Sequence, residues 1–337
     1  MKLFGKDLSK DLVIIGEVGV NHEGNINTAK KIIRLAKKAG ANAVKLQIYT
    51  PERYVSKKEK KFNRVKKFSL EDSEILQLKK FAKKEKIHIF ATPVTEDKVK
   101  LCYKLNNTIK VASGDINFFE LFKEILKHKN NKIIISTGNS TLQEIKKIII
   151  FIKERIKEKI KNKIILLHCV SSYPTPIDQA NIKRILLLKK EFKEIEIGYS
   201  NHCADKEACL AAVALGANLL EVHITDNNNK KFHDHHLSFN AKSFEELIKS
   251  AKLIKKSLND YGFGPSPSEK KNKPFMRKGI IANRNISYLT KIKKKDICFA
   301  RPATEFNSYD QEKIIGKKIY KNIKKGDLIK KSFFIKK

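Results

Sequence analysis

The chain has 337 residues, 41% of them hydrophobic, with 72 Lys and Arg against 36 Asp and Glu, for a net charge of +36. That is enough chain and apolar content for a large barrel or open α/β domain plus a small second domain, and no apolar stretch approaches the length of a membrane span. The five cysteines (102, 169, 203, 209 and 298) are odd in number and form no CxxC, which argues against a disulfide framework or structural zinc and for a reducing cytoplasm.

The N-terminus, MKLFGKDLSKDLVIIG, carries lysines but no sustained apolar core or small-residue cleavage site, so no signal peptide is expected. Strand-then-helix alternation follows from residue 12 to about residue 258. The predicted strands are LVIIGEV (12–18), AVKLQIY (43–49), IHIFATP (87–93), TIKVAS (108–113), KIIISTG (132–138), KIILLHCV (163–170), EIEIGYS (194–200) and NLLEVHI (218–224). The stretch NTAKKIIRLAKKAG predicts an amphipathic helix with apolar residues at 29, 32, 33, 36 and 39 and a glycine stop at 40. TLQE (141–144) reads as a capping box. About eight βα units in roughly 250 residues fit a TIM (β/α)8 barrel. A doubly wound sheet is the alternative, but no GxGxxG follows the first strand. NDYGFGPSPSEKKNKPF reads as a Gly/Pro/Ser-rich linker. The expected boundaries are a barrel over 1–258, a linker over 259–276 and a small β-rich domain over 277–337. Within that last domain IKKKDI (292–297) and IKKGDL (323–328) echo each other as turn-then-strand.

The lysines are spread at helical spacing, as in KKIIRLAKKAG and FEELIKSAKLIKKSL. They read as solvated helix faces rather than a nucleic-acid stripe, although the positive field favours an anionic substrate.

In a barrel of this kind chemistry gathers at the C-terminal strand ends. Those ends carry Glu17; Lys45 and Gln47; Thr92; Ser113 and Asp115; Ser136 and Thr137; His168, Ser171 and Tyr173; Ser200 and His202; Glu221 and His223. Residues at i and i+2 share a strand face, so Lys45 pairs with Gln47 and Glu221 with His223, while Val44, Leu46 and Val222 face the helices. A helical stretch joins the strands that end in His202 and His223, which forces them parallel and brings two imidazoles to one mouth. Two neutral imidazoles with room for water or substrate make an open metal site. A strand lysine needs an anionic partner. Lys45 and Lys110, ringed by the hydroxyls at 113, 136, 171 and 200, suit a phosphate and a carboxylate. The plainer alternatives are helix N-caps for the hydroxyls and a salt bridge from Lys45 to Glu17 or Glu221.

The phrases GEVGVNHEGN (16–25), AVKLQ (43–47), KVASGDI (110–116), ISTGNS (135–140), LHCVSSYPTP (167–176), GYSNH (198–202) and EVHIT (221–225) together resemble the sialic acid synthase family, over nearly the whole chain. The C-terminal piece resembles the antifreeze-like (SAF, β-clip) domain of such enzymes. The resemblance implies a TIM barrel that condenses phosphoenolpyruvate with an N-acetylated aldose. It further implies a divalent metal, manganese first, with magnesium or cobalt as alternatives, held by His202 and His223. Lys45, Thr92, Lys110, Ser113, Ser136, Ser171 and Ser200 match phosphoenolpyruvate positions. Glu17, Gln47, Asp115, Tyr173 and Asp234 match sugar positions, and Glu17 or Glu221 is the candidate to handle the proton of the attacking water. Arg301 matches an arginine supplied by the partner subunit, which implies a domain-swapped homodimer; from the spread of the lysines and the lack of a long apolar stretch, no nucleic-acid or membrane partner is expected. Some positions depart from the family pattern: Asn201 stands where Asp is frequent, Val222 where Lys is frequent, PATEFNSY follows Arg301, and FHDH (232–235) replaces GPDH but keeps Asp234 and His235. The default acceptor is N-acetylmannosamine, and the alternative is a 2,4-diacetamido-6-deoxy hexose leading to legionaminate or pseudaminate. The rival readings are a metal-dependent barrel aldolase and a basic nucleic-acid-binding protein.

Overall fold

Alternation of apolar residues along eight short segments sets the architecture. In a computed structural model describing residues 1–156, 159–230 and 233–336, these segments close into a parallel barrel. After a two-residue-per-strand hairpin, β1 (Lys2–Leu3) and β2 (Lys6–Asp7), come the barrel strands β3 (Val13–Gly19), β4 (Ala43–Ile48), β5 (His88–Pro93), β6 (Thr108–Val111), β7 (Lys132–Ser136), β8 (Ile164–His168), β9 (Glu196–Asn201) and β10 (Leu219–His223). Each pairs with the next, and β10 closes on β3 with His223 beside Glu17. All eight predicted strands are present, and the TIM barrel is the observed fold.

The period of two sorts side chains between two cores. Val13, Ile15, Ala43, Phe90, Ile134, Ile165, Leu167 and Leu219 fill the barrel interior. Val44, Leu46, Ile109, Ile133, Ile135, Leu166 and Val222 point out to the helices. Leu3 and Leu8 of the N-terminal hairpin join the inner cluster, and Phe4 packs 5.1 Å from Phe90 and 5.3 Å from His88, the first residue of β5. The hairpin therefore plugs the N-terminal end of the barrel, each buried leucine contributing about 2 kcal/mol. The polar positions that continue the inward series are left for the opposite end.

The helices follow from capping and periodicity. Ile26–Ala39 buries Ala29, Ile32, Ile33, Ala36 and Ala39, starts under an Asn25 cap, and stops at Gly40 in the left-handed region (φ 97°). Thr141 and Glu144 form the expected capping box ahead of Leu142–Lys153.

The chain divides into two compact units, Met1–Asn259 and Asp260–Lys337. The stretch read as a linker contains a helix, Pro267–Met276, because Ser266 caps it, Pro267 suits its first turn and Glu269 completes a capping box. The second unit has its own core of Ile280, Ile286, Ile292, Ile297, Ile314, Ile319, Ile323, Ile329 and Phe333. Its antiparallel pair is β11 (Gly279–Ala282) with β12 (Ile297–Ala300). The other β-like pieces contribute isolated bridges such as Ile286 with Ile323 and Lys291 with Lys318. The echoed phrases share one device: Asp296 accepts from the Lys293 amide and Asp327 from the Lys324 amide, each closing a turn of four residues.

Candidate active site

The floor is a buried charge quartet. Lys45 Nζ lies 2.8 Å from Glu17 Oε2 and 2.9 Å from Glu221 Oε1, and Lys110 Nζ lies 3.2 Å from the same Glu221 oxygen. Ser200 Oγ donates to Glu221 Oε1 at 3.0 Å. Strand pairing forces this meeting: Glu17 is registered with Lys45 on β3 and β4, and Glu221 with Ser200 on β10 and β9. Both bridges offered as alternatives for Lys45 are made at once, yet Lys45 still lines the cavity.

The two carboxylates are not equivalent. Burial pushes Glu17 up, Lys45 opposes this, and Glu221 reinforces it. Burial acts the same way on Glu221, but Lys110 and Lys45 outweigh it and hold that carboxyl below the usual range. Lys45 is kept above its ordinary value because its two carboxylates outweigh burial, whereas burial lowers Lys110. The quartet balances two cations against two anions, with Glu17 the less firmly ionised member.

Above it opens a cavity of about 340 Å³. Of the residues singled out from sequence, Glu17, Lys45, Gln47, Thr92, Lys110, Ser113, Ser136, Tyr173, Ser200, His202, Glu221, His223 and Asp234 line it. Among the described residues, none of Thr92, Ser113, Ser136, Ser171 and Ser200 is a helix N-cap. Thr92 Oγ1 and Ser136 Oγ are buried without a hydrogen-bond partner. Burying a hydroxyl unpaired is costly, so these point to a ligand that completes them. Ser171 and Asp115 stand outside the lining. Ser171 is nevertheless close to the floor: a Cβ on Gly138 would sit 2.5 Å from Ser171 Oγ, 2.8 Å from Cys169 Sγ and 2.9 Å from Ser113 Oγ. Only glycine lets these three side chains converge, and the Gly138 amide donates to Ser113 Oγ at 3.2 Å. Asp115 is pushed up to about 6 by burial, with Lys110 opposing. Thr137 and His168 point away, their side chains bonded to Leu167 O and Ala180 O. Arg301, in the second unit, donates from Nε to Met276 O at 2.7 Å.

His202 and His223 face each other with ring centroids 5.5 Å apart, and Tyr173 lies 4.1 Å from the His202 ring. His202 Nδ1 is 2.6 Å from Val170 O, a carbonyl that only accepts, so Nδ1 carries the proton and Nε2 keeps its lone pair. Burial, with His223 beside it, lowers His202 to about 3 and keeps it neutral. His223 Nδ1 is buried without a hydrogen-bond partner and 3.5 Å from Asp234 Oδ2. Among the described residues no group of three or more His, Cys, Asp or Glu is placed to hold a metal ion. Two adjacent imidazoles, one with Nε2 left free by its tautomer, suit a cation that takes its other ligands from water or substrate.

NHEGN, which follows β3, holds the loop that carries Asp234. Asn21 Nδ2 donates to Ile224 O and Ser238 Oγ, and Ser238 Oγ donates to Asp234 O. His235 sits between Thr225 Oγ1 (2.7 Å) and Glu23 Oε1 (3.1 Å). Of the FHDH phrase, Phe232 lies outside the described residues. Asn201 accepts from Tyr199 OH and the Cys203 amide and donates to Cys203 O, bracing the backbone on both sides of His202. The donated bond needs an amide, which accounts for Asn at this position.

One wall was not foreseen. Tyr49, Tyr54, Lys61, Arg64, Val65 and Phe68 come from the loop after β4 and its short helices Pro51–Tyr54 and Phe62–Phe68. No strand period reaches them.

A model of the NeuB family matches residues 32–262. The chain is 34% identical over 337 residues to the N,N'-diacetyllegionaminic acid synthase of Campylobacter jejuni, covering 95% of this chain and 99% of that protein. It is 29% identical over 335 residues to the N-acetylneuraminate-9-phosphate synthase of Homo sapiens, covering 94% and 90%. The crystal structure of the N-acetylneuraminic acid (sialic acid) synthetase of Leptospira borgpetersenii, in complex with citrate, matches with a TM-score of 0.73 and 33% identity, covering 78% of this chain and 90% of that one.

Proposed function

We propose a reaction from one premise: this chain belongs to the NeuB family, whose model and synthase relatives it matches along most of its length. It is an enzyme of the sialic acid synthase type, a phosphoenolpyruvate-dependent transferase that forms a carbon–carbon bond to an amino sugar. C3 of phosphoenolpyruvate attacks C1 of the open-chain N-acetylated aldose. The cation left at C2 takes up water, and phosphate leaves by C–O cleavage.

The observation that carries this reading is the floor: two buried lysines beside unpartnered hydroxyls at Thr92 and Ser136. Lys45, Lys110, Thr92, Ser113, Ser136 and Ser200 hold the phosphate and carboxylate of phosphoenolpyruvate, with Ser171 behind Gly138 supporting Ser113. Gln47, Tyr173 and Asp234 orient the sugar, and Asp115 acts from just outside the lining. Glu17 handles the proton of the attacking water. Each carboxylate keeps one oxygen without a partner, Glu17 Oε1 and Glu221 Oε2, but Lys45, Lys110 and Ser200 crowd Glu221 Oε1 and hold that group ionised, whereas Glu17 bridges to Lys45 alone and is pushed up by burial.

His202 and His223 hold a divalent cation, manganese by preference, in this reading. When bound, it supplies Lewis-acid polarisation of the aldehyde. His202 presents Nε2 because Val170 O fixes its tautomer, and Asp234 steadies His223. The second unit is the SAF-type domain, and its Arg301 reaches the sugar from the partner subunit of a cytoplasmic homodimer. Mixing Arg301→Ala subunits with His223→Ala subunits tests the swap. In a swapped dimer both defects fall on one site and the other stays intact, whereas action within one chain leaves every site defective.

The acceptor is N-acetylmannosamine or a 2,4-diacetamido-6-deoxy hexose. The second is favoured by the match to the Campylobacter enzyme and by the apolar wall of Tyr49, Tyr54, Val65 and Phe68, which suits methyl and acetamido groups. Mass spectrometry of products from phosphoenolpyruvate and a panel of amino sugars, with phosphate release followed in parallel, is the test. The expected product is a nonulosonic acid formed with one phosphate per turnover. Product without phosphate, or without any need for phosphoenolpyruvate, points to an aldolase instead.

A further inference from the structure

The charge that faces the cavity is unevenly balanced. On the floor, Lys45 and Lys110 are neutralised by Glu17 and Glu221 at salt-bridge distance. A neutralised quartet exerts little field beyond its own contacts. At the mouth, Lys61 and Arg64 also line the cavity, and neither makes an ion pair among the described residues. Both are exposed. The segment that bears them, Lys57–Lys67, has seven basic residues and one acidic residue, Glu59, a density well above the chain's average.

This wall is tethered, not loose. Tyr49 OH donates to Val65 O at 3.1 Å, and Val65, Phe68, Tyr49 and Val20 form a small apolar cluster. Gly24 packs so closely on the helix end that a Cβ there would lie 2.2 Å from Lys67 O. The two cations are therefore presented to the opening by a braced helix.

We propose that Lys61 and Arg64 form an outer anion subsite at the cavity mouth that takes a phosphate monoester before the floor does. A guanidinium and an ammonium together suit a dianionic phosphate, the first by its planar donor pair and the second as a point charge. This rests on the proposed reaction and adds a step to it. Phosphate chemistry has two sources here: phosphoenolpyruvate on its way to Lys45 and Lys110, or a phosphate carried by the acceptor sugar. Captured at the mouth, a phosphate group exchanges bulk water for two cations that outnumber the one carboxylate lining the mouth with them, Asp234, then passes to a floor whose unpartnered hydroxyls complete its binding.

The test is the double variant Lys61→Gln with Arg64→Gln, with Lys61→Arg and Arg64→Lys as the charge-keeping control. Inorganic phosphate and phosphoenolpyruvate are titrated calorimetrically into the full chain at low and near-physiological salt. Steady-state kinetics are run with phosphorylated and unphosphorylated amino sugars. If phosphoenolpyruvate is the ligand, the double variant loses about tenfold in kcat/KM for phosphoenolpyruvate at low salt, and the loss shrinks as salt screens the field. The charge-keeping control retains most of it. If the acceptor phosphate is the ligand, the loss appears only in the KM of the phosphorylated sugar. The proposal is overturned if phosphate and phosphoenolpyruvate bind the double variant as they bind the parent at both salt levels and neither KM moves. The calorimetry needs no turnover. A wild type that turns over no sugar therefore refutes the reaction, while the subsite still stands or falls on phosphate binding.

Discussion

The floor and the mouth of the cavity are built by different rules. Floor residues sit on strands, so a period of two and a parallel register fix which side chains meet: Glu17 beside Lys45, Glu221 beside Ser200, His223 beside Glu17. Their charges are paired and buried. Mouth residues sit on the loop after β4 and on the loop that carries Asp234, where long-range contacts fix position, and Lys61 and Arg64, the cations that line the cavity there, are exposed and make no ion pair among the described residues. In the proposed reaction the floor holds its ligand through short charge-assisted bonds, whereas the mouth acts through the field. Substitutions on the floor are therefore expected to change stability and binding together, and those at the mouth to separate them.

The largest effect is expected at Lys45. Lys45→Ala strips Glu17 of its cation and leaves Glu221 with Lys110 as its remaining cation and Ser200 as its donor. Removing one partner of a buried ion pair costs about 3–5 kcal/mol, because the abandoned charge stays buried. Chemical denaturation should show that loss, and phosphoenolpyruvate binding should fall by more than tenfold in the variant that still folds. Lys45→Met leaves the same carboxylates stranded, so it should be no better. A Lys45 variant with parental stability would mean that water reaches the quartet and that the floor is not dry.

The floor was legible because period and register act over a few residues. Marking Glu17, Lys45, Lys110, Ser200 and Glu221 as strand-end residues sufficed to bring them together. Past the strand ends the same logic loses its reach. β8 ends at His168 and β6 at Val111, and of the residues that follow them Tyr173 and Ser113 line the cavity while Ser171, read with the hydroxyls, and Asp115, read at the sugar, stand outside the lining. The mouth was illegible for the converse reason. Tyr54, Lys61 and Arg64 belong to two short helices whose placement depends on Gly24 meeting Lys67 and on Tyr49 reaching Val65, contacts that no local pattern encodes. In NHEGN, likewise, sequence showed resemblance but not work, which is to bind the loops after β3 and β10 to each other through Asn21 and Glu23.

Acid should expose the bracing of the mouth. His22 is buried, its Nδ1 accepts from the Gly24 amide at 3.1 Å, and burial lowers it to about 4. A depressed folded value means that the unfolded chain binds the proton first, so the stability from neutral His22 is complete above about pH 6.5 and is lost as pH falls towards 4. The full span is worth about 3 kcal/mol. Melting temperature against pH should show this acid slope, and His22→Gln should flatten it. An unchanged slope in His22→Gln would assign the acid response to other groups.

The smallest effect is expected where the two consequences of one substitution take opposite signs. Thr92 Oγ1 is buried at the floor without a partner, so the folded protein bears the cost of drying a hydroxyl and gains no bond for it. Thr92→Val keeps the branched shape and removes the stranded oxygen. Stability should rise slightly, by about 1 kcal/mol or less, because an apolar group now fills an apolar-sized space. Phosphoenolpyruvate should bind about fivefold more weakly, because a ligand oxygen loses the donor that was waiting for it. Denaturation and a KM measurement on the same preparation decide it. A fall in stability with unchanged KM would mean that Thr92 bonds within the protein, through a water or a shifted neighbour, and that the floor's polar groups are structural rather than held open for substrate.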